Sequence, residues 1–182
     1  MSGRIALYWT TFRTLSEAAG PEGMEPRITI RRPTIEDAER ISALLSELAE
    51  EFIFGEFTQE GREQLLANFD VSEMQKRLAS DEYRFHVAED GSVLAGVVAT
   101  LGSSHLYYLF VATAYQRMGL ARRLWDLARS ESVRAGNVSG RFTVKASAYA
   151  VRAYERLGFR CSGPMTDVKG VRSQPMDWAG TT

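Results

Sequence analysis

The sequence predicts an α+β fold in three layers, a mixed, mostly antiparallel central sheet with helices on both faces. Three stretches carry that reading. Residues 84–111 hold apolar strand-length runs separated by turn residues, with Asp90-Gly91 as a hairpin signal. The run His105-Leu106-Tyr107-Tyr108-Leu109-Phe110-Val111 passes through a short turn into a helical pattern that opens near Leu120. Residues 144–159 give a strand, a helix and a glycine stop.

In chain order, residues 28–31 read as a first strand, ended by Pro33. Thr34 with Asp37 three residues later resembles a capping box, and Ala38, Ile41, Leu44, Leu45 and Leu48 recur at helical spacing. An acidic, aromatic connection over residues 50–57 leads to helices over about 59–68 and 71–79. Residues 84–88 and 93–101 form a hairpin, and Gly102-Ser103-Ser104 turns the chain into the 105–111 strand. The next helix places Leu120, Leu124, Leu127 and Ala128 on one face and stops at Gly136. A short strand at 142–144 follows, then a helix capped by Ser147 and running to Leu157, with Gly158 at its left-handed end. Two strands near 159–162 and 171–178 complete the order.

A length of 182 residues is a prior for one domain. Gly20-Pro21-Glu22-Gly23 reads as a linker, so residues 1–26 are expected to be a poorly ordered extension, with Met24 an alternative start, and 27–182 the single domain. With 45% hydrophobic and 25% charged residues and a net charge of −1, nothing drives the whole chain toward nucleic acid or an anionic membrane. No apolar run reaches bilayer length, and no signal-peptide core opens the chain. Cys161 is the only cysteine, which fits a reducing, cytoplasmic setting, and no Cys/His cluster suggests a metal.

The strand-turn-helix stretch carries the chemistry. Unpaired N–H groups and the helix dipole favour an anion at a helix N-terminus. Gly119 lets backbone approach a bulky phosphate, and Arg117, Arg122 and Arg123 add positive charge around it. The stretch reads as a diphosphate cradle. It lacks the Gly-Lys-Ser/Thr of a Walker loop and the three glycines of a dinucleotide fingerprint.

Written Gln116-Arg117-Met118-Gly119-Leu120-Ala121, it resembles the Gln/Arg-x-x-Gly-x-Gly/Ala signature of the GNAT superfamily of acyl-CoA-dependent N-acyltransferases, in a small bacterial-type member. A second landmark stands in the family's order: a strand, a short helix bearing Tyr154, then Leu157-Gly158-Phe159. The likeness covers roughly residues 28–178 and implies the GNAT fold, acetyl-CoA as cosubstrate and transfer of its acetyl group to a small-molecule or protein amine. Residues 116–122 would then hold the coenzyme, so Leu120, Ala121 and Arg122 join the cradle. A backbone N–H of Leu109, Phe110 or Val111 would meet the oxyanion where a bulge splays two parallel strands. Tyr154 would face the leaving thiolate. Many relatives carry Asn where this chain has Lys145, which cannot accept a hydrogen bond; Ser147 is the substitute for holding the pantetheine arm.

A proton acceptor is also required, because a lysine-like amine is neutral only on the order of one part in a thousand at pH 7. His105, which shares a strand face with Tyr107, comes first and Glu51 second, with Glu50 beside it. Phe52, Phe54 and Phe57 read equally as the lining of an acceptor pocket or as core under the sheet, and His86 reads as structural. Two other readings stay open: a non-catalytic acyl-CoA-binding regulatory module, and a transferase using another acyl donor or a hydroxyl acceptor. The family likeness also leaves a homodimer open.

Overall fold

The computed structural model describes residues 26–179, and its central sheet follows the predicted order. The elements are β1 (Ile28–Arg31), α1 (Ala38–Phe52), α2 (Gln59–Phe69), α3 (Val71–Leu78), β2 (Tyr83–Asp90), β3 (Val93–Leu101) and β4 (His105–Val111). They continue with α4 (Leu120–Arg134), β5 (Arg141–Ala146), α5 (Val151–Leu157), β6 (Arg160–Cys161), β7 (Thr166–Val168) and β8 (Val171–Ala179). Strands lie in the order β1-β2-β3-β4-β5-β8-β6, with β7 paired to β8. Among the described residues, only β4 and β5 run parallel. The expected extension before Pro26 lies outside the described residues.

Alternating side chains divide the molecule into two cores. On one face α4 and α5 cover Val98, Leu106, Phe142, Val144 and Met176, and on the other α1 to α3 cover Val87, Val97, Ala99 and Tyr108. Trp125 centres the first core, with ring centroids 5.0 Å from Phe142, 5.0 Å from Phe159 and 5.8 Å from Trp178. The periodicity reading missed Trp125 and chose Leu127, which is only half-buried. An i, i+4, i+8 stripe drawn through leucines alone overlooks the aromatic one residue along.

Three more departures have local causes. The helix expected from Ser147 begins at Val151, because the Ser147 hydroxyl accepts the Ala150 N–H (3.3 Å) and closes a turn before the helix proper. Strand β7 was unforeseen; it exists through pairing with β8, as Thr166↔Ser173 to Val168↔Val171. His86 is structural, but it has a partner: its Nε2 lies 3.3 Å from a Glu131 carboxylate oxygen on α4, and burial lowers its pKa. Gly158 takes the expected left-handed conformation at φ 100°. No helix among the described residues is long and apolar enough to cross a membrane.

The first strand and helix are pinned to β2 by charge. Arg31 donates to both Asp37 oxygens (2.7 and 2.8 Å) and both Glu89 oxygens (2.8 Å each), and Arg40 reaches Glu89 at 2.9 Å. Asp37 also accepts the Thr34 N–H at 2.8 Å, the reach-back expected of a capping box. The Arg31 guanidinium holds the Asp37 carboxyl at about 2, below its unfolded value. Its stabilisation is therefore complete above the unfolded pKa and lost as pH falls through about 2. Asp37→Asn should cost about 1–2 kcal/mol at pH 7, discounted because Arg31 is part-exposed. Urea unfolding checks this, and the deficit should shrink as pH falls from about 4 towards 2.

Candidate active site

Past β4 the chain makes one 3-10 turn over Thr113–Tyr115, and Arg117 (φ 63°) and Gly119 (φ 79°) then take left-handed backbone. The buried Tyr115 ring anchors the loop and its hydroxyl donates to the Asp90 carboxylate (3.2 Å), while the Gln116 amide donates to the Val111 carbonyl (3.1 Å). Among the described residues, the backbone N–H groups of residues 117–122 donate to no carbonyl. Six consecutive open donors stand at the head of a 15-residue helix, an arrangement that favours an anion there. A Cβ at Gly119 would meet nothing within 4 Å, so the space over the cradle is open.

The side chains act differently from the backbone. Leu120 is buried in the core and offers only its N–H. Arg122 donates to the Arg156 carbonyl and ties α4 to α5, and Arg123 reaches the Ile28 carbonyl at 3.4 Å. Arg117 and Met118 are exposed, and Ala121 is half-buried.

The gap lies between β4 and β5, which pair at only His105↔Thr143 and Leu106↔Val144 before parting. The bulge is displaced from where it was expected. The register breaks opposite Ala99/Thr100, leaving Tyr107 as the extra residue of β4, on the β3 side. Tyr107 and Tyr108 therefore both lean to the α1–α3 face, their ring centroids 4.6 Å apart. Beyond the bulge, the Ala112 N–H donates to the Ala95 carbonyl (2.9 Å). Backbone alternation then turns the N–H groups of Leu109 and Val111 away from β3 and into the gap. Phe110 falls out of the donor set: its N–H faces β3 and its ring packs against the second core.

Tyr154 is buried on α5, its ring edge-on to Phe159 with centroids 5.5 Å apart, and burial pushes its phenol well above the ordinary value. Among the described residues nothing hydrogen-bonds its hydroxyl, which stays a neutral donor. Ser147 is half-buried at the end of β5, its oxygen engaged by Ala150. His105 faces the opposite side of the sheet. Its Nδ1 lies 2.7 Å from the Thr143 hydroxyl, and burial first, then the Lys145 charge, lower its pKa, which favours the neutral ring.

The two candidate bases are not brought together. Glu51, exposed at the end of α1, accepts the Thr113 hydroxyl at 3.0 Å beyond the far end of β4, some 20 Å along the strand from His105 at ~3.3 Å per residue. Its neighbour Glu50 is exposed as well. The three phenylalanines also divide: Phe54 and Phe57 are buried, whereas Phe52 stacks on Tyr149 at 4.7 Å. Glu56, not singled out in the sequence, accepts the N–H groups of Ala148 (3.1 Å) and Tyr149 (3.0 Å) and so ties the α1–α2 connection to the β5–α5 loop. A contact between residues 92 apart leaves no periodic signal. Among the described residues, no group of three or more His, Cys, Asp or Glu is placed to hold a metal ion. Gly119→Glu should weaken coenzyme A binding by at least about 100-fold through bulk and charge over the cradle. Calorimetric titration measures it, and unchanged affinity would refute the cradle.

The model of the acetyltransferase (GNAT) domain matches residues 53–179. No curated protein sequence matches the chain. Among solved structures, a GCN5-related N-acetyltransferase from Rhodopseudomonas palustris aligns over 86% of this chain and 96% of its own, with TM-score 0.72 and 20% identity. The PaiA N-acetyltransferase of Thermoplasma acidophilum, solved with coenzyme A, aligns over 86% and 100%, with TM-score 0.70 and 17% identity. Apo YjaB of Escherichia coli aligns over 85% and 99%, with TM-score 0.63 and 21% identity. These identities speak for the fold, and the domain match reaches further: the chain belongs to the GNAT acetyltransferase family and is an acyltransferase.

Proposed function

We propose that this protein transfers the acetyl group of acetyl-CoA to an amine by direct attack within a ternary complex. The observation that carries the reading is the gap between β4 and β5, with open N–H donors at its mouth and along its edge. Residues 117–122 take the diphosphate, and the Leu109 N–H donates to the thioester oxygen as charge develops on it. Such a donor acts most strongly on the tetrahedral transition state, where the oxygen is anionic.

The incoming amine forms its bond to the carbonyl carbon as the C–S bond breaks. Tyr154 donates a hydrogen bond to the departing thiolate. Its raised pKa makes it a poor acid but a dependable donor, so it stabilises charge and leaves final protonation to solvent. On the other side, with Nδ1–H donating to Thr143, the Nε2 of His105 accepts the proton shed by the amine. His105 is on the order of 13 Å along β4 from Leu109 at ~3.3 Å per residue, so that proton travels through water.

Thiol release with acetyl-CoA against a panel of mono- and polyamines tests the reading, and binding without release to any amine would favour a regulatory module. His105→Gln should lower kcat about 100-fold and remove the acidic limb of the pH profile. Tyr154→Phe should reduce kcat roughly tenfold, the scale of a lost charge-assisted hydrogen bond, with coenzyme affinity unchanged. Wild-type turnover in the Phe variant would return Tyr154 to a purely packing role.

A further inference from the structure

Lys145 stands at the end of β5, opposite Pro175 of β8, and its side chain is exposed. Along β5 the side chains alternate: Phe142, Val144 and Ala146 are buried under α4 and α5, while Arg141, Thr143 and Lys145 face the other way. His105 is the register partner of Thr143 and hydrogen-bonds it, so it shares that face. Lys145 is the next side chain along it, at the point where the two strands part. Its exposed side chain thus rises from the same face as the imidazole, two residues along β5 from Thr143, at the edge of the gap.

The other charged and titratable groups on this face are placed differently. Arg141 lies two register pairs back from Thr143, away from the gap. Asp177 of β8 is opposite Thr143, a further strand from His105, and Arg160 of β6 is opposite Asp177. From β3 the neighbour is Leu101, which carries no charge. On β4 Tyr107 stands with its ring centroid 6.3 Å from that of His105, and Tyr83 of β2 is edge-on to Tyr107 at 5.2 Å. Burial raises the Tyr107 pKa, so that phenol is neutral at working pH. Arg77 of α3 lies over the Tyr107 ring, 5.8 Å from its centroid, so its charge is set against that phenol, and Lys145 is the cation next along the strand paired with His105.

We propose that Lys145 is a positioning residue for the base: its ammonium keeps His105 in the proton-accepting form while Thr143 fixes the ring. This rests on His105 being the base. A cation here disfavours a second positive charge on the neighbouring ring, whereas an amide would leave imidazolium free to form at lower pH. The same cation repels an acceptor that is still an ammonium, so the amine is drawn into the gap in its neutral, nucleophilic form. A residue unsuited to accepting a hydrogen bond from the pantetheine arm thus acquires a task on the opposite side of the sheet.

The chain has two histidines, His86 and His105, which makes the test direct. Proton NMR titration of the full chain follows both imidazoles, with His105→Gln identifying the His105 signal. In Lys145→Gln the His105 midpoint should rise, the His86 midpoint should stay, and Lys145→Arg should restore the original value. The acidic limb of kcat/KM should move with the His105 midpoint, lowering kcat/KM about threefold at pH 6 and leaving it unchanged at pH 8.5. An unmoved His105 midpoint in Lys145→Gln overturns the proposal whatever the activity. A midpoint that moves while the acidic limb stays overturns it differently, by removing His105 as the base. Equal thermal melting of the variants excludes a folding defect as the cause.

Discussion

The parting of β4 from β5 is the constraint on which the site depends. Each strand is better paired with its antiparallel neighbour than with the other: β4 holds six register pairs with β3, β5 holds six with β8, and the two share two. The bulge at Tyr107 adds local twist to β4 just where the shared pairing ends. From there β4 follows β3, β5 follows β8, and a strip of backbone donors is left without a strand to bond. An open donor in a low-dielectric cleft costs about 1–3 kcal/mol unless something polar meets it. That cost favours a polar group entering the gap.

The packing explains how such an opening survives. Trp125 and its ring of Phe142, Phe159 and Trp178 hold α4 against β5, β8 and the start of β6. The helix bearing the cradle is thereby fixed to the strand on the far side of the gap, and Arg122 ties it to α5. Glu56 and the Phe52–Tyr149 stack draw the α1–α2 connection to the β5–α5 loop. The gap is spanned by side chains where backbone pairing fails.

Charge is distributed to suit the two sides. Dipole and open N–H groups favour anion at the cradle, and the arginines near it mostly serve structure, since Arg122 and Arg123 bond carbonyls of neighbouring segments. On the other side, burial and a nearby ammonium keep His105 neutral, and burial keeps Tyr154 protonated across the sheet. A neutral imidazole and a protonated phenol are thereby favoured on opposite faces of the sheet.

By itself the sequence determined the fold class and the family landmarks, because each is written locally. Strand and helix periods, Gly119 where positive φ is needed and Leu157-Gly158-Phe159 after a short helix are properties of neighbouring residues. The domain match bears out the family that these landmarks resemble. Only the tertiary structure decided the rest. Strand β7 exists through its pairing with β8, and Trp125 is central because of residues 17, 34 and 53 positions away. The bulge sits at Tyr107 because two strands disagree in register, so Phe110 cannot serve the gap while Leu109 can. The sequence ranks His105 before Glu51 as candidate base without separating them in space, and β4 sets them at opposite ends, with only His105 beside Thr143. These features depend on distances between segments far apart in the chain, and residue periodicity carries no information about such distances.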